Sequence, residues 1–306
     1  MSPGSEPDLT NMFLAQSSSL DYENLCRLDV LGLQDNYRDQ ASVYEEFKEQ
    51  LRRNPEGWYE VCLPWKGNHP PLPNNEMGSL KRLNALTKRL ENQPGMLEKY
   101  NDVIQDQLTQ GIVEHVTDEA KGREFYIPHK PVIRETAEST KLHIVYDTSA
   151  RAHEKAPSLN DCLETGLPLQ NSLWSMLVKN CFHPVAFTGD LKQAFLQVHI
   201  WEPEPLCFHW YRVLKTKKIQ TLRFTRALFS LVPSPFLLGG VIQEHLELCR
   251  ERFPVEVDEI LCILYVDDLI SVEATVDKAK HVKETSKAVF SEAQFDLHKW
   301  HSNVPS

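Results

Sequence analysis

The acidic pair Asp267-Asp268 stands between two apolar runs, Ile260 to Tyr265 and Leu269 to Val272. Burying either run leaves the acids only the turn between them, so the pattern predicts two strands joined tightly at the pair. Adjacent carboxylates repel each other, and a turn that carries both is strained unless cations neutralise it. A third acid arrives in a similar way. Pro184 to Gly189 reads as a short buried strand that delivers Asp190 at its end. Taken singly, each feature has an ordinary reading: Asp-Asp turns are common, and an Asp that ends a strand often caps a following helix.

The rest of the chain mixes helices and strands without a strict βαβ alternation, which predicts an α+β fold with a largely antiparallel sheet. Residues 1–19, rich in Ser and Pro, read as a disordered leader. Leu20 to Gly57 reads as acidic and helical, Trp58 to Leu63 as a short strand, and the proline-rich 64–73 as a linker, so that 20–79 form one segment. Leu80, Leu83, Leu86 and Leu90 line one helix; Pro94-Gly95 breaks it; Tyr100, Ile104 and Leu108 line the next, which ends at Gly111. A β-hairpin is expected with Pro131 to Ile133 on one arm, Leu142 to Tyr146 on the other, and a mobile tip near 135–140. Leu206 to Val213 and Ile219 to Thr225 read as a second hairpin. Ser234-Pro235 reads as the N-cap and first residue of a helix running towards Arg252, and Val276 to Ala293 as a final helix.

Composition limits the functional classes. With 41% hydrophobic and 25% charged residues, the chain of 306 can bury one or two globular cores. Its most apolar stretch, Leu228 to Ile242, is broken by Pro233, Pro235, Gly239 and Gly240, so no membrane span is expected. Seven cysteines without a C-x-x-C pattern argue against a disulfide framework or a structural zinc site. No secretory signal is read, which makes the cytoplasm, or the nucleus, the expected compartment. The net charge of −10 is concentrated at the start, where residues 1–60 hold twelve acids against five bases. From Pro205 to Gln243 there is no acid, while Arg212, Lys215, Lys217, Lys218, Arg223 and Arg226 lie among Phe208, Trp210, Tyr211 and Phe224. That stretch reads equally as a phosphate-tracking surface or as a solvated hairpin tip.

Taken in order, these segments resemble a known family. Asp190-Leu191-Lys192-Gln193-Ala194-Phe195 resembles the first palm motif of reverse transcriptases, Leu228-Phe229-Ser230 through Ser234-Pro235-Phe236 the second, and Tyr265-Val266-Asp267-Asp268 the third. The closer resemblance is to Pao-type (Bel/Pao) LTR retrotransposon polymerases. It is carried by Val145-Tyr146-Asp147-Thr148-Ser149-Ala150, Pro157-Ser158-Leu159-Asn160-Asp161, Ser234 to Gly240, and Leu297-His298-Lys299-Trp300-His301-Ser302-Asn303.

This resemblance implies fingers over 80–183 and a catalytic palm over 184–306, with nucleotidyl transfer from a dNTP to a primer 3′-hydroxyl on an RNA or DNA template. It implies Asp190, Asp267 and Asp268 as catalytic residues and, with the Leu191 carbonyl, as ligands of two Mg²⁺ ions, Mn²⁺ being an alternative. It implies Phe195 as a steric gate against a 2′-hydroxyl, with Phe229 and Ser230 beside the nucleotide. Arg134, Lys141 and His143 would face the triphosphate, and Lys299 the pyrophosphate. Two positions depart from the pattern: His143 stands where Arg is usual, and Ser230 where Gly is usual. A need for positive φ at Ser230 would strain it. A thumb, ribonuclease H, integrase and protease, the other parts of such a polyprotein, are not read in this sequence. The alternative expectation is a retroelement-derived chain that binds RNA or protein without catalysis.

Overall fold

The computed structural model describes residues 37–116, 124–135, 140–179, 181–203 and 205–304. The chain parts into two compact units between Asp39 and Gln40. The first lies almost wholly outside the described residues, as do the expected leader and the expected helix up to residue 36. The second, Gln40 to Ser306, holds every described strand.

Helix α1 (Tyr37–Gln50) ends well short of Gly57. The reason is local. The side-chain carbonyl of Asn54 accepts the N–H groups of Glu56 and Trp58, a turn that reverses the chain from β1 (Arg52–Arg53) into β2 (Tyr59–Val61) and leaves no room for more helix. The two leucine-patterned helices form as expected, as α2 (Glu76–Glu91) and α3 (Met96–Thr109). They bury Leu83, Leu86, Leu90, Tyr100 and Ile104. Strand β3 (Val113–His115) precedes the hairpin of β4 (His129–Glu135) and β5 (Thr140–Tyr146), whose expected mobile tip lies outside the described residues. A 3₁₀ turn at Asn160–Cys162 and the short helix α4 (Leu173–Lys179) lead into β6 (Val185–Leu191).

A second 3₁₀ turn, Ala194–Gln197, and β7 (His199–Ile200) follow, then the hairpin of β8 (Cys207–Val213) and β9 (Lys218–Phe224). Helix α5 (Ser234–Cys249) is apolar from Pro235 to Ile242 and amphipathic after it, with Leu237, Leu238, Val241, Ile242 and Leu246 buried, each worth about 1.5–3 kcal/mol. Its N-cap is Pro233, and the expected cap, Ser234, instead donates its buried hydroxyl to the Leu228 carbonyl at 2.6 Å. The serine therefore ties down the preceding loop. A Cβ on Gly240 would come within 2.6 Å of the Phe47 ring, which is how closely α1 approaches α5.

One expectation fails more substantially. The run from Ile260 to Tyr265 is not a strand: helix α6 (Pro254–Ile263) occupies most of it, and only β10 (Leu264–Tyr265) is extended. Pro254 starts that helix with its ring already at a helical φ, and Val257 and Ile260 bury one face; a short apolar run fits either period. Strand β11 (Asp268–Glu273), helix α7 (Val276–Glu292) and strand β12 (Leu297–Ser302) complete the chain.

The fold is α+β with small, mostly antiparallel sheets. Strands in the order β10-β11-β6-β12 form an antiparallel four-stranded sheet, with β3-β9-β8 and β4-β5 as further antiparallel sheets. In β1-β2-β7 the second pair is parallel. The main core joins Tyr100, Tyr146, Phe208, Trp210 and Phe224, all buried and in ring contact. No disulfide joins the described cysteines, and none of the described helices is long and apolar enough to cross a membrane.

Candidate functional site

Strand β6 alternates strictly. Val185, Phe187, Gly189 and Leu191 are buried, and the intervening Ala186, Thr188 and Asp190 are half-buried on the other face. Asp190 thus leaves the core side by the same period that keeps Leu191 in it. On the neighbouring strand Asp268 is paired in register with Asp190, and the Leu191 N–H donates to the Asp267 carbonyl at 2.8 Å. Two strands therefore bring the three sequence-predicted aspartates to one edge of the sheet. Between β10 and β11 the chain reverses at Val266, whose φ of 55° is left-handed. A β-branched residue there costs about 1–2 kcal/mol, and the pairings Tyr265↔Asp268 and Leu264↔Leu269 hold it in place.

The cluster is electrostatically loaded. Burial, and then the neighbouring Asp190, raise the Asp267 carboxyl above the usual carboxylate range. The Asp268 carboxyl is raised by burial and then by Asp267 and Asp190. A cation already answers this charge: Lys299 Nζ lies 2.5 Å from Asp190 Oδ2, and His298 Nε2 lies 3.1 Å from the same oxygen. A bulge between His298 and His301, with Lys299 at φ 49°, lets successive residues of β12 reach one carboxylate. Among the described residues no three His, Cys, Asp or Glu side chains converge as a ready-made metal cluster.

Phe195 lies in the 3₁₀ turn after β6, largely buried, its ring edge-on to Phe229 at 5.5 Å. Phe229 is 84% exposed. Ser230 does not have positive φ, so the strain expected of it is not found; its hydroxyl is buried without a hydrogen-bond partner. Across the β4–β5 hairpin Arg134 stands opposite Lys141, and the exposed His143 opposite Val132.

In the acid-free stretch Arg212, Lys215, Lys217 and Lys218 are exposed along the hairpin, but the aromatics do not join them at the surface. Phe208, Trp210, Tyr211 and Phe224 are all buried and present no face for a base. Arg223 is paired with Glu114 and Lys217 with Glu91, while Arg226 is buried against Trp58. Sequence reasoning gave no role to His298, Thr148 or Asn160, although it singled out the segments that carry them. The signal missed was the clustering of hydrogen-bonding side chains in Asp147-Thr148-Ser149 and Ser158-Leu159-Asn160-Asp161.

In sequence, no family profile and no curated protein matches the chain. In structure, it is similar to a foamy viral protease-reverse transcriptase solved in complex with an RNA/DNA hybrid. The match has 15% identity and a TM-score of 0.51, and covers 90% of this chain and 32% of that one. The fold is thus reverse-transcriptase-like, and the chain spans about a third of the length of that neighbour.

Proposed function

We propose that this chain is the fingers and palm of an RNA-directed DNA polymerase from a retrotransposon polyprotein of Pao type, adding deoxynucleotides to a primer 3′-hydroxyl on an RNA or DNA template. The observation that carries the reading is the in-register placement of Asp190 and Asp268 on neighbouring strands, with Asp267 on the turn between β10 and β11. The reverse-transcriptase-like fold supports it.

The donor chemistry suits a hard divalent cation: carboxylate oxygens from adjacent strands, with two carboxyls raised by burial and by their acidic neighbours. Asp190, Asp267, Asp268 and the Leu191 carbonyl would hold Mg²⁺, which would polarise a phosphate and lower the pKa of an attacking hydroxyl. The chain's own groups do the rest. Phe195 with Phe229 walls the sugar side, which excludes a 2′-hydroxyl. Arg134, Lys141 and His143 on the hairpin bind the triphosphate. Lys299, which stands on Asp190, would be placed to donate a hydrogen bond to the leaving pyrophosphate.

Extension of a labelled DNA primer on an RNA template, with dNTPs and Mg²⁺, should proceed with this chain and cease in Asp267→Asn. Equal extension by that variant would remove the assigned role. The competing reading, a retroelement-derived binder without catalysis, is favoured by Lys299 on Asp190 and by His143 in place of Arg; RNA binding with no extension and no Mn²⁺ uptake would establish it.

A further inference from the structure

The segment Leu228 to Val232 carries Phe229 out of the core, and its anchorage converges on one side chain. Asn160 Nδ2 lies 2.9 Å from the Ser230 carbonyl, 3.0 Å from Thr148 Oγ1 and 2.9 Å from Ser149 Oγ, while its Oδ1 accepts the Val232 N–H at 3.0 Å. The Thr148 hydroxyl, itself buried, donates to the same Ser230 carbonyl at 2.5 Å. One amide hydrogen and the amide oxygen therefore serve a loop 70 to 72 residues away, while the other hydrogen faces Thr148 and Ser149.

Asn160 is in turn held by its own turn. Asp161 Oδ2 accepts the Ser158 N–H and hydroxyl at 2.8 Å each and meets Arg151 at 2.8 Å. From the other side Ser234 fastens the Leu228 carbonyl. Phe229 is thus the exposed ring between two pinned carbonyls, edge-on to Phe195.

We infer that Asn160, assisted by Thr148, is the positioning residue that fixes the Phe229 loop against Phe195, and that it thereby sets discrimination between deoxyribose and ribose nucleotides. The sugar part of this inference rests on the polymerase reading above. A steric wall rejects an added hydroxyl only as well as the wall is held. Asn160 acts on that wall through Ser230 and Val232, without touching the aspartates itself in any hydrogen bond among the described residues.

The test uses the full chain with Asn160→Ala, Asn160→Asp and Thr148→Val. Asp keeps an acceptor for Val232 but sets a carboxylate against three oxygens; Val keeps the shape of Thr without its hydroxyl. Amide exchange at Val232 should quicken by about fivefold or more in Asn160→Ala, the loss of roughly one hydrogen bond. Exchange in the β8–β9 hairpin should stay unchanged. In primer extension, preference for dUTP over UTP should fall by about tenfold, through KM more than kcat, with Thr148→Val intermediate. Should Asn160→Ala fail to fold, Thr148→Val and Asn160→Asp carry the same comparison. Unchanged Val232 exchange, or altered exchange with unchanged sugar preference, overturns the inference. If the parent chain extends no primer, the polymerase reading falls by itself. Val232 exchange then still decides the positioning role, and competition between dUTP and UTP for binding decides the sugar claim.

Discussion

Replacing Gly189 with alanine tests how the aspartate strand is seated. A Cβ at this position would lie 2.7 Å from Trp300 Cζ3 and 2.9 Å from both Cε3 and Cη2. Carbon atoms pack best at about 3.5–4.0 Å, so one methyl would overlap three ring atoms by roughly 0.6 Å or more. The ring is tethered where it lies: its Nε1 donates to the Leu297 carbonyl, Phe187 lies beside it, and Lys283 and Lys287 lie over it. Overpacking of this kind costs about 1–3 kcal/mol, whereas exchanging Gly for Ala in a strand gains about 0.5–1 kcal/mol. The net expectation is a loss of about 1–2 kcal/mol, read as a lower urea midpoint at unchanged slope. Trp300→Ala removes the obstacle, so in that background Gly189→Ala should turn neutral or stabilising. An equal cost in both backgrounds, or none in either, would refute the steric reasoning, because the double-mutant cycle isolates the contact between the two positions.

Acid should weaken the fold. Burial pushes the imidazoles of His129, His199 and His209 down to about 4, against about 6.5 in the unfolded chain. The unfolded chain takes up protons that the folded one refuses, so this stability is fully present above pH ~6.5 and lost as pH falls towards 4, by up to about 1.4 kcal/mol per pH unit for each of His129 and His209 and by less for the half-buried His199. Urea midpoints that stay level from pH 7 to 4.5 would contradict it. At the carboxylate cluster, Lys299→Gln removes the ammonium from Asp190. Calorimetry should then show Mn²⁺ binding tightened by about fivefold or less, a modest gain because the lysine side chain is 64% exposed. Weaker binding in the variant would mean that the lysine assists the metal instead of competing with it.

How far the sequence discloses this arrangement depends on how local each cause is. The acids of Asp267-Asp268 are legible because two apolar runs leave them nowhere else to go, and Asp190 because β6 keeps a strict period of two. Helix α6 is not legible, since its apolar run fits either period and only the packing of Val257 and Ile260 decides between them. The aromatics of β8 and β9 mislead for a related reason: alternation says which side chains share a face, not whether that face meets solvent or α3. The approach of His298 and Lys299 to Asp190 depends on pairing between β12 and β6 and on a bulge, and neither leaves a pattern in adjacent residues. Asn160 is the extreme case, because its partners stand up to 72 residues away and no periodicity connects them.

The six-pair register between β6 and β11 has a consequence for how such a chain can change length. Insertions at the tip of the β8–β9 hairpin, 214–217, leave the pairing of these strands untouched, and that is where residues can be added. A single residue gained or lost between Val185 and Asp190 is another matter. A deletion would turn Asp190 inward to the position beside Trp300, and an insertion would set Gly189 opposite Asp268 and Asp190 in the buried place of Leu191; either exchanges a charge for a core position in one step. The acidic edge and the packed face therefore share one phase. A frame-preserving indel in β6 would remove both together, and only a compensating one in the same strand would restore them.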